Sequence, residues 1–284
     1  MHDEKPSTTA RKVALNIVTL GSKSGLAKIL PAGIVDATAT LLVESGAVGA
    51  TGVQLSRSPK MASVYEAFDW MMPGQFEAFA HRKAFCERQV RESIDAGASQ
   101  VLVLGAGYDT MGWRLAPEFR GVNFFEIDHL ATATLKAKGI DAMGRWSNLH
   151  LISEDLGKRH LVDVLRADEA WDSTAQTVII AEGLLMYLPL EAVSTLFKQC
   201  AEITGVGSRI IFTYVSTLPN GLPDAGPWTK LVLWLLKAGG EPWVWSIRPE
   251  ELGSFLNENN WTIEQKPETS KKCGVEFLGV AVKC

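Results

Sequence analysis

QVLVLGAGYDTMGWRL, residues 100–115, is the stretch on which the architecture turns. Its four consecutive apolar residues, 101–104, read as a short strand buried on both faces. The strand runs into Gly105-Ala106-Gly107, where two glycines let the backbone turn tightly and approach a ligand with no Cβ in the way. In open α/β sheets the ligand crevice lies at the carboxyl end of such a strand. A second apolar run, 123–127, ends on Asp128, 23 residues beyond Gly105. A carboxylate at that distance is placed to accept hydrogen bonds from a ribose. Together the two stretches predict a nucleoside-containing cofactor held across two parallel strands, against the plainer reading of a glycine-rich turn.

The loop also bears on which nucleoside is held. A dinucleotide fingerprint has a third glycine, for a pyrophosphate on the helix N-terminus. Here that position is Thr110, preceded by Tyr108 and Asp109. Asp109 would repel a pyrophosphate but tolerate a sulfonium and an ammonium group, so the loop favours S-adenosylmethionine over NAD. The rest of the chain alternates. Strands predicted at 101–104, 123–127, 148–152, 177–181 and 208–213 are separated by helices predicted at 108–116, 130–138, 157–167 and 190–203, which means a parallel sheet covered on both faces. Upstream, the spacing predicts helices over 7–30 (interrupted by Gly21 and Gly25), 35–44, 61–70 and 76–96, with a loop over 46–59. Downstream, 228–238 (WTKLVLWLLKA) is a strongly apolar helix, either buried or a lid. A further helix opens at Pro249, and two strands, 261–266 and 275–282, flank a polar turn.

Composition narrows the function classes. With 46% apolar and 21% charged residues and a net charge of −4, the chain reads as an ordinary globular protein without the basic face that nucleic acid requires. Cys86, Cys200, Cys273 and Cys284 form no C-x-x-C, and His2, His81, His129, His150 and His160 are scattered, so no metal site is expected. The polar N-terminus lacks a signal-peptide core, and the longest apolar stretch, 29–50, is broken by Pro31, Asp36 and Glu44. A cytoplasmic protein without a membrane partner is the expectation; oligomeric state is not legible.

Three motifs, LGAGYDTMGWRL (104–115), FFEIDH (124–129) and AEGLLMYLP (181–189), resemble in order and spacing the leucine carboxyl methyltransferase family, which includes many bacterial S-adenosylmethionine-dependent O-methyltransferases. The resemblance runs from about residue 75 to the C-terminus and is weaker before it. It implies a class I methyltransferase, Rossmann-like α/β fold: a mostly parallel seven-stranded sheet with a C-terminal antiparallel hairpin over residues 75–284, and an N-terminal helical cap over residues 1–74, in one structural unit. The implied activity is O-methylation of a carboxylate or hydroxyl on a small molecule or peptide. The competing readings are an NAD(P)-dependent oxidoreductase and a non-catalytic cofactor-binding protein of the same fold.

The resemblance also implies roles. Arg82 matches an arginine that clamps the cofactor carboxylate, although Ala84 stands where many members carry a second arginine. Gly105, Ala106 and Gly107 would pass under the methionine portion, and Asp128 would take the ribose hydroxyls. Asp128 is preferred to Glu126, which is read as facing the other side of the strand. Asp155 and Leu156 match a pair that contacts adenine; the alternative for Asp155 is the N-cap of the helix at 157–167. Glu182 matches a cofactor-contacting glutamate. Tyr187 is the candidate catalytic residue, either orienting an acceptor oxygen or packing. Met111 replaces a common arginine, and Arg114 is read as pairing with a nearby carboxylate.

Overall fold

The structure is a computed structural model that describes residues 6–67, 69–268 and 274–284, without the side chains of 265–268. Strands β1 (Gln100–Leu104), β2 (Asn123–Asp128), β3 (Leu149–Ser153), β4 (Thr177–Ala181), β5 (Arg209–Val215), β6 (Trp261–Glu268) and β7 (Glu276–Lys283) form a seven-stranded sheet in the order β3-β2-β1-β4-β5-β7-β6. β1 pairs in parallel with β2 on one side and β4 on the other, and β7 lies antiparallel between β5 and β6. The chain therefore winds outward from β1 to β3 and then returns to start again at β4. That reversal falls at the carboxyl ends of β1 and β4, where ligands bind in such sheets.

The helices are α1 (Thr8–Leu20), α2 (Ser24–Ala27), α3 (Ile34–Glu44), α4 (Ala50–Ser56), α5 (Pro59–Ala67), α6 (Gln75–Asp95), α7 (Met111–Leu115), α8 (Leu130–Met143), α9 (Leu161–Arg166), α10 (Leu190–Glu202), α11 (Thr229–Ala238) and α12 (Pro249–Glu258). Strand alternation decides which of them covers which face. Val101 and Val103 pack with Val18 of α1, Leu41 of α3, Phe85 and Val90 of α6 and Ile140 of α8. Leu102 and Leu104 pack on the opposite face with Leu165 of α9, Phe197 of α10 and Leu252 and Leu256 of α12. Each fully buried Leu, Val or Phe contributes roughly 1.5–3 kcal/mol of transfer free energy, so two such faces commit the chain to this topology. A third cluster joins Ile17, Leu20, Leu26, Leu30, Ile34 and Ala62 of the N-terminal segment to Phe76 and Ala80 at the start of α6.

Several predicted bounds move for identifiable reasons. The loop predicted over 46–59 contains α4, whose small residues hide its one buried apolar position, Val53. The helix predicted from 157 begins at Leu161, because the Lys158 and Arg159 N–H groups both donate to the Asp155 carbonyl in a separate turn. The helix predicted from 108 begins at Met111, whose N–H donates to Asp109 Oδ1 at 2.6 Å. α8 continues past Gly139 to Met143, and Gly144, at φ 94°, follows it. α11 is not a buried helix: Trp234 is 64% exposed and Leu235 44%, with Val232 on the inner side. Most of the polar turn expected between the last two strands, residues 269–273, lies outside the described residues, as do Cys273 and His2.

Candidate active site

The glycine loop emerges where β1 ends, and its conformation explains its composition. Gly105 and Gly107 have φ of 63° and 49°, a region that costs an L-residue roughly 1–2 kcal/mol. A Cβ on Gly105 would sit 3.0 Å from Leu184 Cδ1, and one on Gly107 3.0 Å from Ala10 Cβ. Leu184 and the first turn of α1 thus close directly over the loop. Ala106 is buried, with its N–H donating to the Ile127 carbonyl at 3.1 Å. The Gly107 N–H donates to Asp128 Oδ2 at 2.6 Å, and the His129 N–H donates to Asp128 Oδ1 at 2.7 Å. Burial raises the Asp128 carboxyl above its ordinary range despite these two donors.

Glu126 and Asp128, two residues apart, share one face of β2, which corrects the opposite reading. Depth separates them: Glu126 is buried and its Oε2 lies 2.7 Å from Lys136 Nζ. Lys136 also donates to the Ala106 carbonyl at 3.4 Å, so this pair supports the loop from beneath.

Beside the loop lies a buried ionic cluster drawn from four parts of the fold. Arg82, on α6, donates from Nε to Glu182 Oε1 at 2.7 Å and from Nη1 to Glu276 Oε1 at 2.6 Å. Its guanidinium stands 4.7 Å from the Phe79 ring centroid. Lys83, next in sequence, pairs with Asp109 and with Glu182, the latter at 3.0 Å. Two cations face three carboxylates, leaving one net negative charge. Burial would raise the Asp109 carboxyl, but Lys83 and Lys136 outweigh it and hold the group below its ordinary value. Burial would likewise lower the Lys83 ammonium, and Asp109 and Glu182 raise it instead.

Asp155, 28% exposed at its side chain, accepts from the Gly157 N–H at 2.9 Å and lies 3.4 Å from Lys158 Nζ. It belongs to a turn ahead of α9, whose N-cap is His160. Leu156 packs partly buried against the sheet. Tyr187 sits in a 3-10 turn after β4, with its hydroxyl pushed upward chiefly by burial, beside Trp243 and Thr9. Arg114 pairs with Glu87 at 2.7 Å. Toward the C-terminus, Trp245 is core, 5.8 Å from Phe255, while Trp228 edges onto Trp70 at 5.2 Å.

The N-terminal side of the site is latched. The Ser7 hydroxyl donates to Glu241 Oε1 at 2.9 Å, the Thr9 N–H donates to Glu241 Oε2 at 3.1 Å, and the Thr9 hydroxyl reaches the same oxygen. Sequence reasoning missed Lys83, Lys136, Glu241 and Glu276. Only Lys83 carried a signal, its adjacency to Arg82 in HRK. Among the described residues no group of three or more His, Cys, Asp or Glu is arranged to hold a metal ion, and no helix is long and apolar enough to cross a membrane.

Known proteins resemble the chain in sequence and in fold. A "Putative S-adenosyl-L-methionine-dependent methyltransferase" of Mycolicibacterium paratuberculosis (strain ATCC BAA-968 / K-10) is 32% identical over 139 residues, covering 49% of this chain and 43% of that protein. One of the same name from Mycobacterium sp. (strain JLS) is 26% identical over 216 residues, covering 70% of this chain and 67% of the relative. The chain thus spans about half the length of the curated relatives it matches. Among solved structures, a "putative methyltransferase from Thermobifida fusca YX" superposes with a TM-score of 0.58 at 17% identity, covering 92% of this chain and 97% of that one. The fold is therefore the Rossmann-like α/β fold of methyltransferases. The leucine carboxyl methyltransferase profile matches residues 28–201, more than half of the sequence, and the chain belongs to that family.

Proposed function

We propose that the chain is an S-adenosylmethionine-dependent O-methyltransferase. The observation that carries this reading is the juxtaposition of a Cβ-free loop with a buried cluster of net negative charge. The loop suits close backbone approach, and the cluster suits a cofactor whose methionine end bears a sulfonium and an ammonium against one carboxylate. When bound, the cofactor supplies an already activated methyl group. Arg82 would meet its carboxylate, Glu182 its ammonium, Gly105, Ala106 and Gly107 its methionine portion, Asp128 its ribose, and Asp155 with Leu156 its adenine. The helices before residue 75 would act as a cap over the core that follows. The relatives' names point the same way, and the magnesium protoporphyrin IX methyltransferase from Synechocystis PCC 6803, whose structure has SAH bound, superposes with a TM-score of 0.50 at 12% identity.

For the acceptor, the reading is a carboxylate on a small molecule or peptide. Tyr187 is held protonated by its raised hydroxyl pKa, and Glu182 is engaged by Arg82 and Lys83. Neither is free to take a proton from a hydroxyl. A carboxylate needs no base, being ionised at neutral pH, and positioning then carries the displacement. Tyr187 would orient the acceptor oxygen as a donor.

Calorimetric titration with S-adenosylmethionine and with NAD tests the cofactor. Binding of the first alone, weakened about tenfold to a hundredfold in Asp128→Ala, is expected. Binding of NAD instead, or of neither, overturns the reading. Acceptor-dependent formation of S-adenosylhomocysteine separates an enzyme from a binding protein, and methanol released by mild alkali marks an ester product rather than an ether.

A further inference from the structure

We infer that Glu276 is a specificity-determining residue that makes the site prefer the charged sulfonium cofactor over its uncharged thioether product. This inference rests on the methyltransferase reading above. Methyl transfer moves CH3 from sulfur to the acceptor oxygen, and the S–C bonding pair stays on sulfur. The sulfonium becomes a neutral thioether, and a carboxylate acceptor becomes a neutral ester. The methionine end of the cofactor therefore falls from one net positive charge to zero within a single turnover. A site that holds cofactor and product equally well slows its own next cycle. A fixed negative charge near the methionine end discriminates between them without touching the features they share.

Glu276 is placed to be that charge. Arg82, Lys83, Asp109 and Glu182 balance, two cations against two carboxylates, and Glu276 is the fifth member that tips the cluster negative. Its residue is 6% exposed. Oε1 accepts from Arg82 Nη1 at 2.6 Å and from Gln75 Nε2 at 3.1 Å, whereas Oε2 meets no hydrogen-bond donor among the described residues. Glu276 also lines a small cavity with Gln75, Ala78, Arg82 and Leu278. β7 reaches the site because it runs antiparallel: its first residue pairs with Val215 at the carboxyl end of β5. Gln75, whose Oε1 accepts from the Val275 N–H at 3.1 Å, ties the start of β7 to α6. Both donors fall on Oε1, so the charge on Oε2 is left to act on a further cation.

The test is the ratio of affinities for S-adenosylmethionine and S-adenosylhomocysteine, measured by calorimetry on the full chain. Both ligands share the carboxylate, ammonium, ribose and adenine, so any general damage to Arg82 or to the fold cancels in the ratio. The wild-type chain is expected to favour S-adenosylmethionine. Glu276→Gln, which keeps the shape and removes the charge, is expected to cut that preference about tenfold, the order of a unit-charge interaction at an effective dielectric of about 20. Glu276→Asp, which keeps the charge, is expected to retain the preference. Equal binding of the two ligands by the wild-type chain overturns the inference without any variant, as does a Glu276→Gln ratio equal to wild type. If neither ligand binds, the methyltransferase reading itself fails. If both bind and the ratio ignores Glu276, only this inference does.

Discussion

The two ends of the proposed cofactor site are built by opposite means. At the loop end, Gly105, Gly107 and Asp128 come from 24 consecutive residues, and their contacts are mostly backbone: two N–H groups on one carboxylate. At the cluster end, Arg82, Lys83, Asp109, Glu182 and Glu276 come from α6, the loop, the end of β4 and the start of β7, and their contacts are between full charges away from water. On the proposed reading the first end would recognise shape and hydroxyls. The second would recognise charge and carries the larger desolvation cost. Stability and ligand affinity should therefore separate between them, and three experiments probe that separation.

The largest effect is expected at Arg82. Arg82→Met leaves Glu182 and Glu276 buried with one cation fewer, and removing one partner of a buried ion network costs about 3–5 kcal/mol. Urea unfolding should show a loss of that size. The corresponding change at the loop end, Asp128→Ala, should cost roughly 1–3 kcal/mol of folding stability. Equal losses at the two positions would erase the distinction.

Acid should separate the same two regions by proton count. Asp128 is raised above the ordinary carboxylate range, first by burial. Cofactor affinity should then fall, by up to tenfold per pH unit, as acidification protonates it. Protonating Asp128 does not itself destabilise the fold, because a raised acid contributes relatively more stability in its neutral form. Asp109 is depressed, so its contribution is present above its unfolded value and is lost only as pH falls through the lower folded one. A mildly acidic window is expected in which near-UV circular dichroism stays native while binding weakens. Simultaneous loss of both signals would show that one group controls the two ends.

The same contrast explains what was legible in the sequence. The strands and the glycine turn within residues 100–128 are legible because their periodicity and glycines have local meaning, whereas the face of Glu126 and the start of α7 are not. The roles proposed for Arg82, Asp155 and Glu182 rest on the family resemblance, since nothing in their own spacing marks them. Glu276 was invisible: it meets Arg82 across 194 residues, and only the antiparallel return of β7 brings them together. α4 was missed because alanine, glycine and serine leave little hydrophobic pattern. α11 is strongly apolar, yet it exposes Trp234 and Leu235, so an apolar pattern alone did not distinguish a buried helix from a rim. Electrostatic partners chosen by topology leave no periodicity, whereas backbone turns do.

The smallest effect concerns the latch that closes α1 over the loop end. Glu241 receives the Ser7 and Thr9 hydroxyls and the Thr9 N–H, while Ser7 keeps its own capping bond to the Ala10 N–H at 3.0 Å. Glu241→Ala therefore removes a remote cap but not the local one, a loss of about 1 kcal/mol. Amide hydrogen exchange at Thr9 and Ala10 should accelerate roughly fivefold to tenfold, with global stability nearly unchanged and cofactor release faster. The cluster end should not respond, because Arg82 and Lys83 are held by partners outside α1. If exchange in α1 is unaffected, then the helix is held by Ile17, Val18 and Leu20, all buried, and the polar latch follows the closure rather than maintaining it. Exchange data would thus decide whether the loop end is closed by charge, like its neighbour, or by apolar packing.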